Sequence, residues 1–329
     1  MVFKKKLLVL SILTGLLGLV YAATLVFDPE RVNSRDASYV WLEPKWVDQA
    51  ERVEIRDQGS EGVTLVRNSG GWFVSHEGRE YPAKQSRMED LFRILSTRAA
   101  YPLRASSAAA HEKMGLVEKD ASRIVVRGGP GTTYPLLDLL IGAGDASGKD
   151  VYLRKSAQDE VRSGENKLTS YLTGTRSSWY NLRLFPENET APVGADMVQR
   201  IILSPPPAKP EDESPQGPGF TLSRSGTGWV REGENGEALD TNKVESYIRA
   251  VVEAEGEDFV STPNSSDPVF TEGQITLQIG DNTTRVIRIG PLLESGNRSA
   301  LSSGSDYVYS LAEWTMNRIF RDLSYFVTQ

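Results

Sequence analysis

The sequence predicts an α+β protein: an N-terminal transmembrane helix, then two tandem β-rich repeats, each a mostly antiparallel sheet with a packed amphipathic helix. Three observations predict it. One long uncharged run opens the chain, one short pattern occurs twice, and the same succession of hydrophobic periods follows each occurrence. The 329 residues carry 37 Lys and Arg against 44 Asp and Glu, a net charge of −7, with 39% hydrophobic and 25% charged residues. This is ordinary globular usage and excludes a mainly disordered or collagenous chain. A mean hydropathy of −0.35 with a single long uncharged stretch excludes a multi-span transporter. The chain has no cysteine and two histidines, which excludes disulfides, thiol nucleophiles, thiolate metal sites and a lipidated N-terminal cysteine.

The first element is the run Leu7–Phe27, 21 residues without charge behind Lys4, Lys5 and Lys6. At about 1.5 Å per residue it matches the thickness of a bilayer core. The lysines are expected to stay in the cytoplasm, with the remainder exported. A cleaved signal peptide ending at Ala22 is the rival, but Thr24–Phe27 prolong the apolar run beyond the usual length of such a segment. The expected placement is therefore the cytoplasmic (inner) membrane, single-pass, N-terminus in, with the bulk of the chain periplasmic. Without the three lysines the rest holds 34 cations against 44 acids, a charge of −10 that argues against nucleic acid as a partner.

The second element is the repeat. Residues 62–72 read GVTLVRNSGGW and residues 219–229 read GFTLSRSGTGW, 157 residues apart. Gly62, Thr64, Leu65, Arg67, Gly71 and Trp72 recur as Gly219, Thr221, Leu222, Arg224, Gly228 and Trp229. Alternation in Thr-Leu-x-Arg, followed by Gly-rich turn residues, predicts a β-hairpin whose return strand starts at the tryptophan. Both indoles are expected to pack on the sheet; a stacking platform for a ligand is the functional alternative, so Trp72 and Trp229 are the candidate binding residues. A helix follows in each copy. Met88, Leu91, Phe92 and Leu95 fall at i, i+3, i+4, i+7, as do Val244, Tyr247, Ile248 and Val251. Ser86 and Glu89 have capping-box spacing.

Further strand pairs are expected at 122–127 with 134–141, and at 274–279 with 284–289. The expected divisions are 1–30 for the cytoplasmic tip and anchor, 31–48 for a linker, 49–190 for the first repeat and 191–329 for the second. Residues 204–218, with five prolines and Glu211, Asp212 and Glu213, form an expected solvated loop in the second repeat.

Candidate chemistry is sparse. Gly142–Lys149 (GAGDASGK) resembles a phosphate loop, but Ala143 replaces the first glycine of the Walker pattern and Asp150 follows the lysine. A β-turn is expected there. His76 and His111 lack metal-ligand spacing and are expected to be exposed. No G-x-S-x-G elbow occurs. No catalytic, cofactor-binding or metal-ligating residue is assigned, and no cofactor is expected.

With the repeat laid out, the sequence resembles a bacterial family called domain of unknown function 4340. The residues bearing the likeness are Leu7–Phe27, Gly71-Trp72, Met114-Gly115-Leu116, Leu140-Ile141-Gly142, Val151-Tyr152-Leu153, Ser178–Asn181 and Leu184-Phe185. Met114 stands where the family usually has tyrosine, and Asn181 where it has aspartate. The resemblance implies one membrane helix, a repeated extracytoplasmic β-rich region and an auxiliary role beside ABC transporters of the gliding-motility type. It implies no enzymatic residues. The expected function is a non-enzymatic, membrane-anchored accessory component of an ABC-type transport or gliding-motility-like envelope complex. Its expected partners are permease or ATPase subunits and other envelope proteins, with the membrane engaged through Leu7–Phe27. The alternative is an envelope glycan- or peptide-binding module. A carboxylate-dependent envelope hydrolase ranks last, because its carboxylate pair is defined by separation in space.

Overall fold

In a computed structural model, residues 37–59, 61–186, 192–207, 217–233, 238–260, 270–280 and 283–327 are described. The described chain divides into two compact units between Trp179 and Tyr180. The expected boundary lies later, near 187–196.

The first unit contains β1 (Ser38–Tyr39), β2 (Ala50–Arg56), β3 (Val63–Asn68), β4 (Gly71–His76), β5 (Arg79–Pro82), α1 (Gln85–Ser96), β6 (Ala99–Ala100), β7 (Leu103–Ala105), β8 (Ser122–Gly128), β9 (Leu137–Gly144), β10 (Asp150–Lys155), β11 (Val161–Glu165) and α2 (Thr169–Leu172). The second contains β12 (Val198–Ser204), β13 (Phe220–Ser225), β14 (Gly228–Arg231), β15 (Ala238–Leu239), α3 (Thr241–Val252), β16 (Asp258–Phe259), β17 (Gly273–Ile279), β18 (Thr284–Leu292), β19 (Arg298–Ser302), β20 (Val308–Leu311) and α4 (Glu313–Ile319).

Each unit is built on one nine-stranded sheet, and the two strand orders match. The first runs β5-β4-β3-β2-β8-β9-β10-β11-β7, the second β15-β14-β13-β12-β17-β18-β19-β20-β16. Every pairing is antiparallel. In both, the first long strand joins a strand after the helix, β2 to β8 and β12 to β17, so two meanders form one sheet. The register of that pairing shifts at the same place, between Ala50 and Arg52 and between Val198 and Arg200. A bulge there increases local twist.

The strands alternate buried and exposed residues. Val53, Ile55, Leu65 and Val74 face the first core; Ile201, Leu203, Leu222, Leu277 and Ile287 face the second. α1 buries Met88, Leu91, Phe92 and Leu95, and α3 buries Val244, Tyr247, Ile248, Val251 and Val252. Their N-termini differ. Asp240 caps α3, accepting from the N–H groups of Asn242 (3.0 Å) and Lys243 (3.2 Å). α1 has Lys84 at that position and no side-chain cap, so the Ser86/Glu89 box does not form. In each unit the residue before the helix donates its N–H to the carbonyl of a buried aromatic: Lys84 to Trp179 (2.8 Å) and Asp240 to Phe326 (2.9 Å).

Three corrections follow. The architecture is mainly β: three sheets, with four α-helices of 12, 4, 12 and 7 residues among the described residues. Strands carry the cores, so the α+β class gives way to a mostly-β one. Second, no helix among the described residues is long and apolar enough to cross a membrane. Twelve residues span about 18 Å, well short of a bilayer core. Leu7–Phe27 lies outside the described residues, so the transmembrane element and the single-pass inner-membrane placement drawn from it lack a supporting span. Third, the expected linker is folded into the first unit from residue 37 onward, with Trp41 and Leu42 buried.

Candidate functional site

The site starts at the β3–β4 turn. Gly71 takes φ of +112°, a conformation that favours glycine, and a Cβ there would stand 2.9 Å from the Gln85 side chain. That close approach lets Gln85, the first residue of α1, act like an added strand. Its Oε1 accepts from the Trp72 N–H (3.0 Å), and its Nε2 donates to the carbonyls of Trp72 (3.0 Å) and Ala83 (2.9 Å). Satisfying both backbone groups fixes Trp72 against the helix, where its ring centroid lies 5.5 Å from that of Phe92.

Beside Trp72 lies a groove of about 450 Å³. Its floor is Trp72, Phe92 and Val47; its rim carries Arg67 and Glu89. Arg67 sits directly across the hairpin from Trp72 and donates from Nη1 to the Asp48 carbonyl at 3.3 Å. Among the described residues, neither Arg67 nor Glu89 has an ion-pair partner.

The second unit repeats these residues and closes the space. Arg224 sits across from Trp229, with its guanidinium 5.0 Å from the ring centroid. It donates to the carbonyls of Val198 (3.3 Å) and Ala195 (3.2 Å) and stands 3.9 Å from Glu245 Oε1. Arg249 holds the place of Arg93, and Thr241 that of Gln85, 156 residues on.

The candidate residues are thus placed in separate units, each against its own helix. Trp72 is 7% exposed and Trp229 is 1% exposed. Neither presents an open face, so sugar stacking on a matched pair of rings has no surface to act on. Trp72 keeps one role, as groove floor. Arg67 and Glu89 escape a motif search because an arginine on a strand and a glutamate on a helix are ordinary surface residues. The signal that exposes them is their recurrence as Arg224 and Glu245 at the offsets of the hairpin and the helix.

The remaining candidates are accounted for by structure. The GDASGK loop turns between β9 and β10 around the Asp145 carboxylate, which accepts from the Ser147 hydroxyl (2.8 Å) and the Asp150 N–H (3.2 Å). An anion already occupies the centre where a phosphate would sit. His111, expected to be exposed, is buried, with Nε2 3.0 Å from the Asp159 carbonyl. His76 is half-buried beside Arg176, which also donates to Glu61 at 2.8 Å. Among the described residues no three His, Asp or Glu side chains gather in a way that would hold a metal ion.

Met114-Gly115-Leu116 and Ile141-Gly142 meet in space. Ala143 donates its N–H to the Met114 carbonyl at 3.0 Å, Gly115 has φ of +66°, and a Cβ on Gly142 would lie 2.2 Å from that same carbonyl oxygen. The Leu116 carbonyl in turn accepts from the buried Arg154 at 3.0 Å. A family model described as "Domain of unknown function (DUF4340)" matches residues 72–272, from the groove tryptophan through both helices. The chain belongs to this family. No curated protein and no solved structure matches it. In this DUF4340 chain the glycine motifs are packing motifs: they let two backbone segments meet where a side chain cannot fit.

Proposed function

We propose that the protein is a non-enzymatic accessory component of an ABC-type transport or gliding-motility-like complex and acts by binding other proteins. One observation supports the reading above others: the fold is duplicated, and its motif residues are used for packing. Trp72, Trp229, Gly115 and Gly142 all hold strands, helices or loops together. What distinguishes the two units is a recognition surface, the groove at Arg67, Trp72 and Glu89. Affinity purification of the full chain from cross-linked cells tests the proposal. Recovery of an ABC ATPase or permease subunit is the expected result; recovery of the protein without either overturns it.

A second reading is a peptide- or glycan-binding module that works alone. The groove favours it, because about 450 Å³ falls within the range of small-ligand sites.

A further inference from the structure

We propose that the groove beside Trp72 binds a short peptide segment presenting a carboxylate to Arg67 and a cation to Glu89, with an apolar side chain between them on Trp72 and Phe92. The inference rests on the binding-module reading and is independent of any transport complex.

The second unit supplies the argument, because it shows the same parts in their closed arrangement. Arg224 lies over Trp229 and reaches towards Glu245, so charge meets charge and the ring is covered. In the first unit the equivalent Arg67 is exposed and turned to the Asp48 carbonyl, and Glu89 has no ionic partner among the described residues. The pair is opened, with an apolar floor of Trp72, Phe92 and Val47 below it. Arg93, also on the rim, is engaged by Asp90 at 2.7 Å and leaves the opened pair as the available charges. A ligand complementary to this surface carries both signs with an apolar part between them. A peptide has that composition, whereas a neutral saccharide leaves both charges unanswered. Arginine favours a carboxylate through its planar fork of donors.

The test is calorimetric titration of the full chain with two end-blocked tripeptides, Arg-Leu-Glu and Glu-Leu-Arg. Control peptides carry citrulline for arginine or glutamine for glutamate. Saturable binding of at least one order is expected, weakened about tenfold or more by either neutral replacement. Arg67→Met is expected to remove the preference for glutamate over glutamine, and Glu89→Gln the preference for arginine over citrulline. Arg224→Met and Glu245→Gln are expected to leave the affinity unchanged. Thermal melting of each variant separates lost binding from lost folding, and Arg67 and Glu89 variants are expected to melt with the parent. Failure of both tripeptides to saturate, equal affinity for the neutral peptides, or tighter binding of chitotriose overturns the proposal. Co-purification of a transporter subunit bears only on the accessory role, so the two readings fail separately.

Discussion

The two hairpins that end in Trp72 and Trp229 start from nearly the same residues and finish differently. In the second unit, Arg224 bonds two carbonyls in and beside the turn Ala195–Met197 and covers the indole. In the first, the turn before β2 is Pro44–Trp46, and Arg67 reaches a single carbonyl at 3.3 Å. The first unit instead secures its tryptophan through Gln85, a contact Thr241 is too short to copy. Duplicated sequence therefore preserves the frame while local neighbours decide whether a groove is filled. One copy holds its charges in the fold, and the other leaves them facing solvent.

The largest expected effect breaks the frame itself. Trp229→Ala removes a sealed ring together with the surface Arg224 rests on, and is expected to cost about 3–5 kcal/mol in urea unfolding. Trp72→Ala is expected to cost less, since its ring already borders open space. Equal losses would show that the groove is closed in solution.

The glycine pair comes next. A Cβ at Gly142 meets the Met114 backbone carbonyl, which cannot move without breaking the Ala143 bond. At the matching Ile-Gly of the second unit, a Cβ on Gly290 meets the Ser299 hydroxyl at 2.5 Å and the Phe270 ring at 3.0 Å. Side chains yield more readily than backbone. Gly142→Ala is expected to cost about 1–3 kcal/mol and Gly290→Ala less, read from melting curves.

Arg224→Met is expected to cost about 1 kcal/mol, because two carbonyls lose a charged donor. Arg67→Met is expected to stay within about 0.5 kcal/mol, as for an exposed side chain. A similar cost at both positions would mean that Arg67 also turns inward.

The smallest expected difference is in acid. Burial alone would raise the Asp138 carboxyl, but two hydrogen bonds and the charge of Arg123, with Ser156, outweigh it and hold the group below its ordinary value. A carboxylate depressed in the folded state stabilises above its unfolded pKa, about 3.9, and that contribution is lost as pH falls through the folded value. Val286 occupies the matching place in the second sheet, so acid is expected to weaken the first unit preferentially. Amide exchange at pH 3 against pH 6 checks this, and Asp138→Asn is expected to abolish the difference.

Much of this frame is legible in the residues. Thr64-Leu65 and Thr221-Leu222 announce strands by alternation, and Met88 to Leu95 announces a helix by its period, because each depends on near neighbours. The Ser86/Glu89 box is a local signal that failed. Lys84 takes the capping position because its N–H is bound to Trp179, 95 residues away. The candidate site was half visible. Trp72 stood out by rarity, but its burial, and the service of Gln85, depend on how the helix settles on the hairpin.

By itself, the sequence determined that one unit occurs twice, where its hairpins turn and which faces of its helices are apolar, since these are set by chirality, spacing and the glycine content of turns. Only the tertiary structure decided that β2 joins β8 and β12 joins β17 into sheets of one order, that short helices leave the class mainly β, and that Arg224 fills its groove while Arg67 does not. Those outcomes turn on which distant carbonyl, ring or carboxylate comes within reach of a side chain, and that distance is a property of packing.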